Sequence, residues 1–255
     1  MHHMAKLKYL DLREAVIDTC LQMNEEGINQ GTSGNVSVRT PEGFLMTASG
    51  IPYHRMKPEH IVEMDLHGGY VGEYLPSTEW RMHMDIFKHR PEANAVVHTH
   101  SIYATALSCL RKDIPPFHYM IGIAGGTTLR CASYAEYGTQ ELSDVMLKAM
   151  TDRSACLLAN HGMIATGPNL SKAMWLAVEV EAPVGDALDR GGERHAARPR
   201  ARRQARGRRA VRADRRQRRA RSGGDGDRGW RALRGGERHG RGAALRPGCC
   251  LGGHN

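Results

Sequence analysis

The stretch Ala95-Val96-Val97-His98-Thr99-His100 joins an apolar run to two histidines that stand two residues apart. The β-branched and apolar residues predict a buried strand. Side chains at positions i and i+2 of a strand project from the same face, about 6 to 7 Å apart. The imidazoles of His98 and His100 can therefore share one metal ion, although two surface histidines can give the same pattern by chance.

A third histidine strengthens the metal interpretation. His161 stands in Asn160-His161-Gly162, between two apolar runs that predict strands. A side chain at the end of a strand can point into a cleft. Three neutral imidazoles with an open fourth position are typical of a catalytic zinc. No cysteine stands near these histidines in the sequence, which argues against a closed structural zinc site.

The chain up to residue 180 alternates between predicted strands and helices. Ser77 is the expected N-cap of a helix that runs to about His89. Several strands are joined by tight turns, which favours an α/β fold with a mixed, largely antiparallel central sheet flanked by helices. The predicted helices cover 8–26, 77–89, 101–109 and a segment from Leu170, and the predicted strands cover 36–39, 44–47, 61–64, 95–100, 155–159 and 162–165.

The net charge of +9 is unevenly distributed, which divides the chain into parts. Residues 1–180 carry a net charge of −4, whereas residues 181–255 carry +13 and contain 21 Arg but no Lys, Ile, Met, Phe or Tyr. Such a segment cannot bury enough apolar area to offset the entropy lost on ordering, so we expect a disordered tail. We therefore predict an N-terminal extension over 1–7, one domain over 8–180 and a tail over 181–255.

Three interpretations of the tail stay open. The first is a shifted reading frame in a GC-rich gene, because Arg, Gly and Ala have GC-rich codons and the missing residue types have AT-rich ones. The second is an inert, solvated linker. The third is a natural basic arm that binds nucleic acid or another polyanion.

Several protein classes are excluded or disfavoured by the composition. No apolar run reaches the roughly 18 to 20 residues of a membrane-spanning helix. The N-terminus shows no apolar segment of a secretory signal. The six cysteines form no CxxC pair and no regular framework. We therefore expect reduced thiols and a cytoplasmic protein without a membrane partner.

Two segments predict a site for an anion. Ser77-Thr78-Glu79 opens a helix, where hydroxyls and free N–H groups can bind an anion, although Glu79 can also simply favour the helix dipole. Gly31-Thr32-Ser33-Gly34-Asn35 is a second candidate, because its glycines let backbone N–H groups converge. This loop lacks both the Walker A lysine and the GxGxxG pattern. Together with Thr47-Ala48-Ser49-Gly50, these segments predict a phosphate cradle without a lysine, and an ordinary loop is the alternative.

Three tyrosines are further candidate site residues. Tyr119, in His118-Tyr119-Met120, is a candidate proton donor, and its alternative is a tyrosine at the edge of the core. Tyr134 and Tyr137 are weaker candidates, which we expect to be packing residues.

These segments, in this order and at this spacing, resemble the class II aldolase/adducin family over roughly residues 8–180, and the aldolase branch most of all. The motifs that carry the resemblance are Gly31–Ser37, Ser77–Arg81, Ala95–His100, His118-Tyr119 with Ala124-Gly125-Gly126, and Asn160-His161-Gly162.

The resemblance implies a site and a reaction. It implies that one zinc ion per subunit is held by His98, His100, His161 and Glu79, and that Glu79 also acts as the catalytic acid/base near Tyr119. It implies zinc-dependent cleavage of a ketose 1-phosphate, such as L-fuculose 1-phosphate, to dihydroxyacetone phosphate and an aldehyde through a metal-stabilised enediolate. The residues expected at the substrate phosphate are Thr32, Gly34, Asn35, Ser49, Gly50, Ser77 and Thr78.

Other activities of the same family stay open. These are a sugar-phosphate 4-epimerase, whose branch carries an aspartate in place of Glu79, and a methylthioribulose-phosphate dehydratase. A non-catalytic module of the adducin type lacks the zinc histidines that this chain retains. A catalytically impaired metal-binding domain with a polyanion-binding tail is the remaining alternative.

The chain departs from the family after residue 180. The resemblance implies a homotetramer in which a C-terminal tyrosine crosses a subunit interface, but no tyrosine follows Tyr137 here. The tail cannot replace that segment. We therefore expect reduced activity, or none, from this chain.

Overall fold

The computed structural model describes residues 7–191 and 231–232. Five α-helices occur among these residues: α1 Leu10–Glu25, α2 Trp80–His89, α3 Ile102–Cys109, α4 Gln140–Ala149 and α5 Leu170–Gly191. Their strands are β1 Asn35–Thr40, β2 Gly43–Thr47, β3 Ile61–Met64, β4 Gly69–Val71, β5 Ala95–Thr99, β6 Cys131–Ala132, β7 Ala155–Leu158, β8 Gly162–Gly167 and β9 Arg231–Ala232. Short 3-10 helices span Tyr53–Arg55, Pro58–His60 and Tyr119–Ala124.

One mixed sheet runs through the molecule, in the strand order β6-β7-β8-β5-β1-β2-β3-β4-β9. The β6–β7 pair is parallel, and the other described pairs are antiparallel. The prediction of a mixed, largely antiparallel sheet flanked by helices is therefore confirmed. Helix α4 and strands β4 and β6 were not predicted, because their short or weakly patterned sequences give little periodic signal.

The helices cover the sheet in two layers, and the alternation along β5 follows them. Ala95 and Val97 pack into a core that includes residues of α1, α3 and α5. Val96 packs into the core on the opposite face, which includes residues of α2 and α4. Because strand side chains alternate between faces, His98 shares the face of Val96. The metal candidate therefore lies on the side of the sheet that α2 covers.

The start of α2 corrects one prediction. Ser77 is not the N-cap: the helix begins at Trp80, Glu79 takes the capping position, and no side chain caps it. The backbone N–H of Ser77 donates to Thr47 O at the end of β2, 2.9 Å away. This bond holds Ser77 beside the sheet, so the chain turns once more before the helix can start. As a result, Ser77, Thr78 and Glu79 line the surface between β2 and α2.

Helix α5 continues past the predicted domain boundary at residue 180. Val184 packs in the core of the α5 face, and the Glu181 carboxylate is buried. Its two oxygens accept hydrogen bonds from the backbone N–H groups of Tyr103, at 2.8 Å, and Ala104, at 2.9 Å. Glu181 thereby satisfies free donors at the start of α3, which a residue in a disordered tail would not do.

Most of the predicted tail lies outside the described residues. Within 181–255 the structure describes the end of α5 and β9, and Tyr70 of β4 pairs with Arg231. The predicted disorder of residues 192–230 and 233–255 therefore stays a prediction. In the described part of the chain, no helix combines the length and the apolar character needed to cross a membrane. Its four cysteines, Cys20, Cys109, Cys131 and Cys156, are free thiols.

Replacing Glu181 by alanine tests whether residue 181 belongs to the folded domain. We expect Glu181→Ala to lower the free energy of unfolding by about 1–2 kcal/mol, because two N–H groups at the start of α3 lose their acceptor. Urea denaturation followed by circular dichroism measures the change. Glu179→Ala is the matched control, since Glu179 lies about 200° away around the same helix. Equal stabilities of Glu181→Ala and the wild type would contradict the capping role.

Candidate active site

The three histidines and Glu79 come from three separate segments of the chain. His98 lies near the end of β5 and His100 just beyond it, while His161 lies in the turn between β7 and β8. Antiparallel pairing of β5 with β8 places His98 opposite Ile164, so the β7–β8 turn lies at the same edge as the end of β5. Glu79 approaches this edge from the start of α2.

The turn that carries His161 is held by α3. Asn160 adopts the left-handed conformation, with φ of 58°, which asparagine tolerates better than most residues. Its backbone N–H donates to Ser108 O at 3.0 Å, and the N–H of His161 donates to Ser108 Oγ at 3.3 Å. Ser108 is buried at the end of α3. Because both bonds fix the backbone, His161 is held toward the other histidines.

The four side chains converge on one point. One ligand atom from each, three imidazole nitrogens and one carboxylate oxygen, lie within 4.8 Å of one another. His98 Nε2 is 3.0 Å from His100 Nε2 and 3.2 Å from Glu79 Oε2. His161 Nε2 is 3.0 Å from Glu79 Oε1. Donors that share a tetrahedral ion at about 2.0–2.2 Å lie about 3.3–3.6 Å apart, so the cluster is close to what one ion requires.

The tautomer of His98 suits a metal ligand. Its Nδ1 lies 2.8 Å from the backbone carbonyl of Met163, which can only accept a hydrogen bond. Nδ1 therefore carries the proton, and the lone pair of Nε2 faces His100 and Glu79. Metal-binding histidines usually donate their other ring N–H to a carbonyl or carboxylate in this way, which fixes the orientation of the ring.

Electrostatics keep the carboxylate charged. Burial opposes ionisation of Glu79, but His98 and His161 outweigh it and hold the pKa of the Glu79 carboxyl well below its ordinary value. Burial likewise opposes protonation of His98, but Glu79 and then the Met163 carbonyl raise the pKa of His98 above its ordinary value. Burial lowers the pKa of His100 to about 4, and His98 and His161 act in the same direction. His100 is therefore neutral at neutral pH, as a metal ligand must be.

The seven residues predicted at the substrate phosphate line one cleft together with Glu79. They are Thr32, Gly34, Asn35, Ser49, Gly50, Ser77 and Thr78. Among the described residues that line this cleft there is neither lysine nor arginine. An anion bound there would depend on hydroxyl and N–H donors, as the sequence predicts.

The glycine loop of this cleft is tightly built. A Cβ atom at Gly34 would lie 2.5 Å from the carbonyl oxygen of His98, so only glycine lets the loop pass β5 this closely. The hydroxyl of Tyr53 donates to the Gly34 carbonyl, and Ser33 Oγ donates to Asn29 Oδ1 at 3.0 Å. These bonds fix the loop against the metal candidate.

A second cleft adjoins the first and corrects the interpretation of two tyrosines. It is lined by His100 and His161, and it shares Thr78 and Glu79 with the phosphate cleft. Tyr134 and Tyr137 also line it and are 56% and 65% exposed. The sequence analysis expected both to be packing residues, and their exposure contradicts that expectation. The two clefts meet at Glu79, which leaves room for a ligand with a phosphate at one end.

Tyr119 lies apart from both clefts within this chain. It begins the 3-10 helix Tyr119–Ala124 and is 81% exposed. It lines neither the phosphate cleft nor the cleft beside the histidines. The alternative of a tyrosine at the edge of the core is wrong, because this side chain is almost fully in solvent.

His83 is a residue that the sequence interpretation missed. It is completely buried on α2, with Nδ1 2.6 Å from Ser37 Oγ and Nε2 2.6 Å from Asn35 Oδ1. Asn35 in turn donates from Nδ2 to Glu79 Oε2 at 2.8 Å. The amide of Asn35, predicted to contact phosphate, is therefore bonded to the carboxylate and to His83. The four-residue spacing between Glu79 and His83 was the available signal, since it places both on one helical face.

Comparison with known proteins agrees with this geometry. Residues 14–184 match the family described as Class II Aldolase and Adducin N-terminal domain. The chain is 52% identical to L-fuculose phosphate aldolase of Escherichia coli strain K12 over 170 residues, which cover 67% of this chain and 79% of that protein. It is 51% identical to a 5-methylthioribulose-1-phosphate/5-deoxyribulose-1-phosphate aldolase of Rhodospirillum rubrum, again over 170 residues, covering 67% of this chain and 77% of that protein.

A solved structure shares the fold. An L-fuculose 1-phosphate aldolase aligns with a TM-score of 0.70 and 38% sequence identity, covering 78% of this chain and 95% of the other. The matched region contains the three histidines, Glu79 and both clefts, since residues 14–184 include them all. The relatives named above are called aldolases of sugar phosphates, and this chain belongs to the class II aldolase and adducin family.

Proposed function

We propose that this chain is a zinc-dependent aldolase that cleaves a ketose 1-phosphate to dihydroxyacetone phosphate and an aldehyde. The observation that carries the proposal is the convergence of Glu79 with His98, His100 and His161 within 4.8 Å, at the junction of the two clefts. A set of three imidazoles and one carboxylate binds zinc in preference to magnesium or calcium, which take oxygen ligands. The names of the relatives supply the reaction class.

The phosphate cleft orients the substrate in this proposal. Ser49, Ser77 and Thr78 supply hydroxyls, and the loop of Thr32 and Gly34 supplies backbone N–H groups. Such donors bind a phosphate without a neighbouring cation when several converge. The binding energy then holds the reacting carbons beside Glu79, which converts recognition of the phosphate into positioning.

Glu79 moves the proton in this proposal. The three histidines and Glu79 would hold the zinc ion, which would act as a Lewis acid toward the negative charge that develops at the ketose carbonyl. The ionised carboxylate of Glu79 takes the proton of the C4 hydroxyl as the C3–C4 bond breaks. The electron pair of that bond stays with the dihydroxyacetone phosphate fragment, and the former C4 carbon becomes the aldehyde carbon. Returning the proton to C3 completes dihydroxyacetone phosphate and regenerates the base.

The aldehyde end of the substrate lies in the second cleft in this proposal. Tyr134 and Tyr137 line that cleft and do not line the phosphate cleft. The relatives at 52% and 51% identity carry the names of different substrates, L-fuculose phosphate in one case and 5-methylthioribulose or 5-deoxyribulose 1-phosphate in the other. These substrates share a phosphorylated ketose end, so the tyrosine-lined cleft is where discrimination between them takes place.

We also propose that the protein acts as a homo-oligomer, with the tetramer of the family as the expected form. Tyr119 is 81% exposed, and the nearby Phe117 and Ile123 are also exposed apolar residues. A proton donor cannot act from solvent, but an exposed tyrosine can enter the site of a neighbouring copy.

We propose that the protein is cytoplasmic, as its sequence predicts. The four free thiols of the described residues support this location, since reduced cysteines are typical of that compartment.

Metal removal and substitution of Glu79 test the reaction. Dihydroxyacetone phosphate release from L-fuculose 1-phosphate and from 5-methylthioribulose 1-phosphate is followed with a coupled reductase and NADH. We expect release to stop after treatment with a chelator and to return with zinc. Glu79→Gln should lower kcat by roughly 10²- to 10⁴-fold, because the amide cannot accept the proton.

The matched control for that substitution is Glu59→Gln, an exposed glutamate that lines neither cleft. It should leave the rate unchanged. We expect slow release by the wild type, because the chain departs from the family after residue 180. A wild-type chain that binds zinc but releases no dihydroxyacetone phosphate from any ketose 1-phosphate in the panel, even at high enzyme concentration, would contradict the proposed function. Release that persists undiminished in Glu79→Gln would contradict the role of the carboxylate as base.

Mixing two inactive variants tests whether Tyr119 acts across an interface. We expect Tyr119→Phe to lower kcat with little change in KM, because the phenol would hydrogen-bond to the C4 oxygen while the proton of that hydroxyl moves to Glu79, and would add little to substrate binding. Co-refolded oligomers of Tyr119→Phe and Glu79→Gln should recover part of the lost activity, since some sites then combine an intact Glu79 with an intact Tyr119. No recovery in confirmed mixed oligomers would place Tyr119 outside the neighbouring site.

A further inference from the structure

A buried chain of hydrogen bonds leads from the sheet to the catalytic carboxylate. Ser37 Oγ lies 2.6 Å from His83 Nδ1, His83 Nε2 lies 2.6 Å from Asn35 Oδ1, and Asn35 Nδ2 lies 2.8 Å from Glu79 Oε2. We refer to Ser37, His83 and Asn35 as the buried relay. Ser37 and His83 are completely buried, and Asn35 is nearly so. Ser37 and His83 are therefore part of the protein interior, and Asn35 is the member of the relay that also lines the phosphate cleft.

The relay combines two periodicities. Asn35 and Ser37 stand two residues apart on β1 and share one face of the sheet. Glu79 and His83 stand four residues apart at the start of α2 and share one face of the helix. The sheet face and the helix face pack against each other, so each polar residue of one element meets a polar residue of the other.

The direction of every bond follows from the carboxylate. An ionised carboxylate only accepts hydrogen bonds, so the Asn35 amide must point its Nδ2 toward Glu79 and its Oδ1 toward His83. Oδ1 then accepts from His83 Nε2–H. Neutral histidine carries one ring proton, which makes Nδ1 an acceptor for the Ser37 hydroxyl. Burial lowers the pKa of His83 to about 3, in agreement with this neutral form.

The Glu79 side chain needs such hydrogen bonds to keep its orientation, because Glu79 lies just outside the helix. It occupies the residue before α2, which no side chain caps. In the described part of the chain, the side-chain amide that donates to the Glu79 carboxylate is that of Asn35, and it donates to Oε2. The same oxygen lies 3.2 Å from His98 Nε2. Rotation of the Asn35 amide would therefore release the oxygen that faces the metal ligands.

We propose that His83 is a positioning residue, which holds the Asn35 amide in the orientation that aims Glu79 Oε2 at the metal site. Without His83 Nε2–H, Asn35 Oδ1 has no donor and the amide loses its preference between the two orientations. The proposal rests on the proposed function, in which Glu79 is both a zinc ligand and the base. It assigns a role to a residue that contacts neither substrate nor metal.

Zinc affinity measures this role without any need for turnover. Zinc is titrated into the full chain in competition with a chromogenic chelator. We expect His83→Leu, which largely keeps the volume and removes both ring nitrogens, to weaken zinc binding roughly 10-fold. This is the lower end of the effect, about 10- to 100-fold, of losing a group that hydrogen-bonds to a metal ligand, because His83 acts on Glu79 only through Asn35. His83→Gln should restore most of the affinity, because its amide N–H can occupy the place of Nε2–H.

The matched control is Ser143→Ala. Ser143 is completely buried on α4 and donates to Asp85 Oδ2 of α2 at 2.7 Å. The substitution removes a buried hydrogen bond to the same helix but leaves the relay intact. It should lower stability and leave zinc affinity unchanged, which separates positioning of Glu79 from general loosening of α2.

A double-mutant cycle tests whether His83 acts through Asn35. Asn35→Ala should weaken zinc binding by itself, and adding His83→Leu should weaken it little further, since the amide that His83 orients is already gone. Additive losses would overturn the proposal, as would His83→Leu with wild-type affinity. Ser37→Ala serves where His83→Leu does not fold: it frees the His83 tautomer and should lower affinity several-fold in the wild type, but not in Asn35→Ala.

The two proposals fail in different ways. A chain that binds zinc tightly but cleaves no ketose phosphate contradicts the proposed function, and the affinity comparison among the variants still decides the role of His83. A chain that cleaves the substrate and shows the same zinc affinity and kcat in His83→Leu as in the wild type supports the proposed function and overturns the relay.

Discussion

The pairing of β5 between β1 and β8 is the constraint on which the whole site depends. His98 lies opposite Asn35 on β1 and opposite Ile164 on β8. Because β5 runs antiparallel to both neighbours, the end of β5 meets the start of β1 and the turn before β8 at one edge of the sheet. A slip of one residue in this register would turn His98 into the core of the opposite face.

A buried negative charge explains much of what surrounds this edge. The Glu79 carboxylate is buried, and a buried carboxylate is costly unless it is paired and hydrogen-bonded. His98 Nε2 and His161 Nε2 lie 3.2 and 3.0 Å from its two oxygens, and the Asn35 amide donates a hydrogen bond to Oε2. The same groups that stabilise the charge also fix its direction. Stability and chemistry at this site therefore depend on the same contacts.

The metal-binding residues could be predicted from the sequence where their spacing along a strand fixes which face they share. His98 and His100 stand two residues apart in an apolar run, and this spacing places them on one face of any strand. The position of His161 between two apolar runs made it the third candidate, and the resemblance to a known family added Glu79. The structure brings all four within 4.8 Å. The predicted phosphate residues likewise line one cleft.

The errors of the sequence interpretation share a cause. Ser77 is a good N-cap residue by type, but its bond to Thr47 on β2 holds it outside the helix, and the N-cap lies two residues later, at Glu79. Tyr134 and Tyr137 were expected to pack, yet they line a cleft beside the histidines. Glu181 was assigned to a tail by the composition that follows it, although it caps α3. In each case the deciding contact joins residues that are distant in the chain.

The sequence by itself determined the fold class, the strand that carries the paired histidines and the kinds of donor available for a metal and a phosphate. These follow from periodicity and residue chemistry, which are local properties. Only the tertiary structure decided that His83 lies between Ser37 and Asn35, and that the Asn35 amide faces Glu79. These contacts require a particular register of β1 and a particular placement of α2 across the sheet, and no local pattern specifies how two elements 40 residues apart will pack.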